Sequence, residues 1–387
     1  MRSFPALCSA ALALAAGCVL RADTPSTAFQ SPGVTSNLPV FREALAARQT
    51  YPFSWNSGSF PDFGAWKNAA RQKLVDALLA PPPAVDFAPV VRAEEDRGSY
   101  VAREIVLQLT GDSRVLALMT VPKGKGPFPA VLLLHDHGAR FDIGKEKTIE
   151  PLRSSDKLAA AREWAAKGYG GRFVGDELAK RGYVCLSVDA LNWGDRGGGG
   201  YDGQQAISSN LLNLGSSFAG LIAWEDLRAA EFLATRPEVD PRRVGSLGWS
   251  MGGFRSCQVA ALSEHISAAV SICWMGTLKG LLQPGGNLTR GGSSYTMTHP
   301  GLSRYLDYPD MVSIACPKPL LVLAGRQDKL FPVPVVEEAF RQLHAVWSSQ
   351  QADDRLTTRF WDVPHSFGIE MQDEAFTWLD HQLGARR

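Results

Sequence analysis

The chain has 387 residues, of which 45% are apolar and 20% charged, a balance that excludes disordered and fibrous classes. Lys plus Arg number 40 against 39 for Asp plus Glu, a net charge of +1 with no block of like charge. Nothing therefore favours a nucleic-acid partner, which calls for a concentrated basic surface.

The first 22 residues differ from the rest. Arg2 supplies a short positive start, residues 4–20 form an apolar stretch rich in Ala and Leu, and Ala22 offers a cleavage point. This is the pattern of a secretory signal peptide, too short and too weakly flanked for a membrane span, and it predicts export to the periplasm or medium. An uncleaved anchor, or lipid attachment at Cys18 within Leu14-Ala15-Ala16-Gly17-Cys18, stays open as an alternative. No later segment reaches the roughly 18 uncharged apolar residues that a spanning helix requires. Two of the six cysteines, Cys8 and Cys18, lie in this leader. Cys185, Cys257, Cys273 and Cys316 match neither a disulfide framework nor a zinc site, and are expected to pack as small hydrophobes.

Residues 23–89 read as an N-terminal extension without sustained period, apart from one helix at 65–79 that Pro81-Pro82-Pro83 stops. Residues 90–387 read as one α/β catalytic domain. Its first strands, at 90–94, 100–109 and 114–121, are alternating or β-branched, with a turn at Gly111-Asp112, and predict an antiparallel lead-in. From Phe128 the rhythm changes. Residues 129–134 are a continuous apolar run, as a parallel strand covered on both faces requires, and similar runs recur at 183–188, 244–247, 266–272 and 319–323. Helix-like segments lie between them at 173–180, 217–234, 253–262 and 335–347, and a strand at 357–363 and a helix at 370–383 close the pattern. The alternation predicts a mainly parallel, doubly wound sheet with helices on both faces. Residues 191–215 and 275–310 break it. Both follow predicted strands, so they are expected as insertions walling the ligand-binding edge of the sheet.

The strongest chemical signal is Gly248-Trp249-Ser250-Met251-Gly252-Gly253, between a predicted strand and a predicted helix. A nucleophile elbow holds serine on such a strained turn, and glycines flank it because side chains would clash. The bland alternative is a glycine-rich turn that happens to contain serine. Serine needs a base, and of seven histidines His365 follows the last predicted strand at the same sheet edge. The base needs an acid, and Asp328 ends the run Leu320–Asp328 on a turn at that edge, giving the order Ser250, Asp328, His365. The other reading of Asp328 is a cap on the helix beginning near Pro334. Asp362 lies too close to His365 along the chain to orient it. Asp226 shares a helical stripe with Phe218, Ile222 and Leu233 and reads as a buried, hydrogen-bonded structural acid. Donors for an oxyanion are expected from the N–H of Met251 and, in the loop His135-Asp136-His137-Gly138-Ala139-Arg140, from that of His137. A metal reading of His135, Asp136 and His137 is open, since alternate residues of an extended chain share a side, but no second ligand cluster accompanies it. No metal or cofactor is expected.

The motifs His135 to Glu146, Gly248 to Gly253 and Gly325-Arg326-Gln327-Asp328 with Pro332 resemble the dienelactone-hydrolase-like and acetyl-xylan-esterase-like branch of the α/β hydrolases. Dienelactone hydrolases proper carry cysteine where this chain has Ser250. The resemblance implies an α/β-hydrolase fold and cofactor-free hydrolysis of carboxylic esters, often on acetylated plant polysaccharides, so the partner expected is a small-molecule or polysaccharide ester. Trp249, Trp274 and Trp193 lie beside active-edge loops, where they would stack on a sugar or aryl group, packing being the other reading. Arg140 and Arg196 lie on such loops too and would bind an acidic sugar. Three rival classes remain: a prolyl-oligopeptidase-like peptidase, a polyester or cutinase-like esterase, and a carbohydrate-binding protein on a dead hydrolase fold.

Overall fold

A computed structural model of the chain describes residues 33–35, 37–290 and 292–384. The predicted leader, with Cys8, Cys18 and the cleavage point, lies outside these residues. Among the described residues no helix is long and apolar enough to cross a membrane.

The N-terminal extension carries a two-residue ladder of β1 (Val34–Thr35) with β2 (Leu38–Pro39), then two helices rather than one. The short α1 (Arg42–Ala47) buries none of its residues, so it had no apolar stripe to betray it. The helix expected from periodicity, α2 (Phe63–Leu78), starts two residues early because the Asp62 carboxylate accepts the Ala65 N–H at 2.8 Å and caps it. Its buried stripe of Trp66, Ala70, Leu74 and Ala77 is continuous with the main core, so the extension is part of the body and no appendage.

The body follows as β3 (Val90–Asp96), β4 (Tyr100–Thr110), β5 (Ser113–Pro122), β6 (Phe128–Leu134), α3 (Leu158–Gly168), α4 (Val174–Lys180), β7 (Val184–Val188), α5 (Gly200–Asn213) and α6 (Phe218–Ala234). After these come β8 (Val239–Trp249), α7 (Met251–Leu262), β9 (Ala268–Ile272), α8 (Leu278–Leu281), α9 (Tyr308–Ser313), β10 (Leu320–Gly325), α10 (Val333–Ser349), β11 (Leu356–Trp361) and α11 (Ile369–Leu383). Nine strands form one sheet in the order β11-β10-β9-β8-β6-β7-β5-β4-β3. Strands β6 to β11 run parallel, and the β3–β4–β5 meander joins them antiparallel through β7. The chain steps from β6 to β7 on one side and returns to place β8 on the other. That reversal opens a crevice at the C-terminal ends of β6 and β8.

The apolar runs are explained by two covered faces. Ala130, Leu132 and Leu134 of β6 belong to one core with α2, α6, α7 and α10, while Val131 and Leu133 belong to another with α4 and α11. All four cysteines outside the leader are free and buried. Helix α3 had gone unpredicted because its buried stripe, Ala161, Trp164, Ala165 and Gly168, contains a single large side chain. The two insertions are not bare loops, since 191–215 holds α5, and 275–310 holds α8 and the start of α9.

Asp226 on α6 accepts two bonds from Arg255 on α7, at 2.8 and 2.7 Å, and both groups are buried. Removing one partner strands the other charge out of water, so Asp226→Ala should lower the unfolding free energy by about 3–5 kcal/mol. The double replacement Asp226→Leu, Arg255→Met should recover much of that in urea titrations. A single-variant loss below about 1 kcal/mol would contradict the burial argument.

His299, in the second insertion, packs against Phe254 of α7 and accepts from Gln258 Nε2 at 2.5 Å. Burial holds its pKa down to about 4. The unfolded chain takes up a proton near pH 6.5 that the folded chain refuses, so stability present above that pH is lost as pH falls toward 4, by up to about 3 kcal/mol. Asp307, its carboxyl pushed up to about 7 by burial, acts in the opposite sense, so the comparison is with a variant rather than with an absolute curve. Between pH 7 and pH 4, His299→Gln should gain on the wild type in chemical denaturation; a constant gap would refute the assignment.

Candidate active site

Strand β8 ends at Trp249 and α7 begins at Met251, so Ser250 alone makes the connection. It takes φ 56° and ψ −119°, a region L-residues rarely visit. Its N–H donates to the Ile272 carbonyl at 2.8 Å and its carbonyl accepts from Phe254 N–H at 3.1 Å, which ties the turn to β9 and to the first turn of α7. The glycines have a steric reason. A Cβ at Gly252 would lie 1.8 Å from the Leu134 carbonyl oxygen, and one at Gly248 would lie 2.2 Å from the Gly252 backbone.

His365 leaves the end of β11 and faces the same cavity. Its Nδ1–H donates to Asp328 Oδ2 at 2.6 Å, which makes Nε2 the acceptor nitrogen of the neutral ring. The other Asp328 oxygen accepts from the N–H groups of Leu330 at 2.8 Å and Phe331 at 3.4 Å. One carboxylate thus binds the histidine and braces the turn leading to α10, so the two readings of Asp328 are not exclusive. The His365 ring lies between Trp249 and Phe331, at centroid distances of 5.4 and 6.0 Å. Cys273 stands beside this pair at φ 48°, its thiol pushed up to about 12 by burial and therefore neutral.

A cavity of about 800 Å³ lies at this crevice. Five of the predicted site residues line it: Ser250, Met251, Trp249, His137 and His365, with Asp328 behind the histidine. The ring of His137 is buried, its Nδ1 accepting from Ala139 N–H at 3.1 Å and its Nε2 facing Gln204 Oε1 at 3.3 Å, and burial pushes its pKa down to about 4. His135 is also committed, with Nδ1 on the Asp136 carbonyl and Nε2 on Ala190 N–H, both at 3.0 Å. Asp136 spends one oxygen on Trp164 Nε1 and Tyr169 OH. These bonds commit both imidazole rings and one Asp136 oxygen, while Asp136 Oδ2 stands 3.6 Å from the Lys147 ammonium.

Four predicted substrate contacts are corrected. Trp193 is buried behind His137, its indole N–H on the His137 carbonyl at 3.1 Å. Trp274 packs into the core between Phe254 and Tyr308, its N–H on the Met297 sulfur. Arg196 is held by Glu225 at 2.5 and 2.8 Å. Arg140 is paired with Asp142 and Glu163 outside the cavity. Trp164, Lys167, Tyr201, Asp202, Tyr295 and Phe331 line the cavity without having been singled out. Tyr201 and Asp202, on α5, and Tyr295 fall in the two insertions, whose position at the sheet edge was the only signal the sequence offered.

A serine elbow above a parallel sheet of this order, with a His–Asp pair delivered by the last two strands, β10 and β11, defines an α/β-hydrolase fold. The chain belongs to the Abhydrolase family, which it matches over residues 39–350. It is 31% identical to "Putative hydrolase YtaP" of Bacillus subtilis (strain 168) over 291 residues, which cover 74% of this chain and 90% of that protein. Among solved structures it resembles a "putative acetyl xylan esterase" of Bacteroides fragilis NCTC 9343, with TM-score 0.65 and 17% identity, covering 87% of this chain and 85% of that one. It also resembles a glucuronoyl esterase of Solibacter usitatus, with TM-score 0.59 and 13% identity, covering 83% and 94%. At these identities the two structures bear on the fold.

The elbow geometry makes a direct prediction. Gly252→Ala must drive α7 away from β6, and should cost about 3 kcal/mol or more, or abolish soluble expression. A variant with wild-type yield and denaturation midpoint would contradict the contact.

Proposed function

We propose that this chain is an exported serine carboxylic-ester hydrolase that acts through an acyl-enzyme, with acetylated plant polysaccharide or a related carbohydrate ester as substrate. The observation that carries the reading is Ser250, strained at the elbow, on one cavity with a His365 whose far nitrogen is bound to Asp328 at 2.6 Å. In this mechanism Ser250 Oγ attacks the ester carbonyl carbon while His365 Nε2 takes its proton, and Asp328 stabilises the imidazolium. The oxyanion is met by the N–H groups of Met251, at the positive end of α7, and His137. Collapse breaks the carbonyl bond to the alcohol oxygen, which leaves with the proton from His365. Water, deprotonated by the same histidine, then attacks the acyl carbon, and the carboxylic acid departs as Ser250 regains its proton.

Two features support the carbohydrate assignment. The cavity wall mixes aromatic rings, Trp164, Trp249, Tyr201 and Tyr295, with the polar groups Asn37, Asp202, Gln205 and Asn287. That mixture suits a sugar, whose faces stack and whose hydroxyls need partners. Two of the fold neighbours are named as a putative acetyl xylan esterase and a glucuronoyl esterase, names that refer to carbohydrate esters. Export rests on the pattern of residues 1–22.

A fluorophosphonate probe should label the wild type and leave Ser250→Ala unlabelled. Asp328→Asn should fold normally and lower kcat on an aryl acetate by about 10³–10⁴-fold. Acetate release from acetylated xylan should exceed any peptide cleavage. An active Ser250→Ala would overturn the nucleophile, and activity confined to peptides would overturn the ester reading.

A further inference from the structure

A buried cation, unused by this mechanism, lies directly behind the loop that follows β6. Lys147 ends a single 3-10 turn, Lys145–Lys147, and is fully buried, where an ammonium must find partners. Its Nζ donates to the carbonyl oxygens of Asp136 and His137, at 2.9 Å each, and stands 3.6 Å from Asp136 Oδ2. The indole N–H of Trp193 reinforces the His137 carbonyl at 3.1 Å. The turn bearing Lys147 is itself anchored. Lys145 N–H donates to Asp189 Oδ1 at 2.7 Å, and Lys145 Nζ reaches Asp189, Glu146 and Asp195 at 2.8, 2.8 and 2.6 Å. Asp189 directly follows β7, so the ammonium is mounted on the sheet.

In a trans peptide unit the C=O and N–H point in opposite directions. The unit carrying the Asp136 carbonyl also carries His137 N–H, and the next unit carries Gly138 N–H. Holding both carbonyls on the buried side turns both N–H groups to the other side, where His137 and Gly138 line the cavity with Ser250 and Met251. A cation on the carbonyl also polarises the amide and makes its N–H a stronger donor. We propose that Lys147 is the positioning residue of the oxyanion hole, clamping the 136–137 and 137–138 amides so that their N–H groups meet the developing oxyanion. This assignment rests on the serine-esterase reading above. An interaction aimed at charge that develops only in the transition state appears in kcat and leaves KM nearly unmoved.

Steady-state hydrolysis of p-nitrophenyl acetate by the full chain tests it, with Lys147→Met, Lys147→Arg and Trp193→Phe beside the wild type and Ser250→Ala. Lys147→Met should lower kcat about 10²–10³-fold, as loss of one oxyanion donor does, with KM within roughly threefold. Affinity for a trifluoromethyl ketone, which mimics the oxyanion, should fall in step with kcat/KM. Lys147→Arg, which keeps a buried donor cation, should regain at least about tenfold of the loss, and Trp193→Phe should lose about tenfold in kcat. If Lys147→Met fails to fold, Trp193→Phe decides alone. Wild-type kcat and inhibitor affinity in a folded Lys147→Met or Trp193→Phe would overturn the clamp while an inactive Ser250→Ala still upheld the serine mechanism. An active Ser250→Ala would bring both down.

Discussion

Helix α7 starts so close to the end of β6 that the Gly252 α-carbon all but touches the Leu134 carbonyl, where a methyl group would lie 1.8 Å from the oxygen. Most of the site follows from that contact. With no room for a connecting loop, β8 must turn into α7 through one residue, and Ser250 accepts an unfavourable φ of 56° to do it. Such strain persists only where the surroundings over-determine it. Here they do, through the Ile272 carbonyl on one side and the buried first turn of α7 on the other. The same contact brings the start of α7, with Met251 N–H, beside the chain that continues from Leu134 as His135 to Ala139. Two segments more than a hundred residues apart become walls of one crevice because a single glycine lets them touch.

The loop after β6 is held by charge as well as by the aromatic rings packed on His135 and His137. The three successive carbonyls of His135, Asp136 and His137 each receive a buried cation, Arg255 Nη1 at 3.4 Å for the first and Lys147 Nζ at 2.9 Å for the others. Both cations are balanced, Arg255 by Asp226 and Lys147 by Asp136. Buried ion pairs contribute little net stability, since desolvation offsets their attraction. Their consequence here is directional. A loop whose oxygens are held on one side presents its N–H groups on the other, and Trp193 serves that arrangement from behind the cavity.

Much of this architecture could be read from local pattern. Continuous apolar runs marked the parallel strands, because a strand covered on both faces has no polar side to show, and β6, β7 and β9 are buried almost throughout. The elbow was legible because glycine on both sides of a serine, between a strand and a helix, has few other uses. The order Ser250, Asp328, His365 followed from each lying just after a strand. Helices α1, α3 and α5 were not legible. Their buried faces are small, absent or made of residues such as Gln204 and Ser208, which carry no apolar period.

The sequence by itself determined the fold class, the elbow and the chain order of its partner residues, because each is written in the composition and spacing of contiguous segments. Only the tertiary structure decided which way the loop side chains turned. Trp193, Trp274 and Arg196 looked like ligand contacts from their place beside the active edge, yet each turns inward toward His137, Met297 or Glu225, partners 23 to 56 residues away. Lys145 and Lys147 carry no sign of burial in the sequence but are fully buried, each beside acceptors from the loops after β6 and β7. Charge and aromaticity are properties of one residue, whereas burial belongs to everything that packs around it. That is why the residues gathered with Ser250 could be read along the chain, and the walls and supports of its cavity could not.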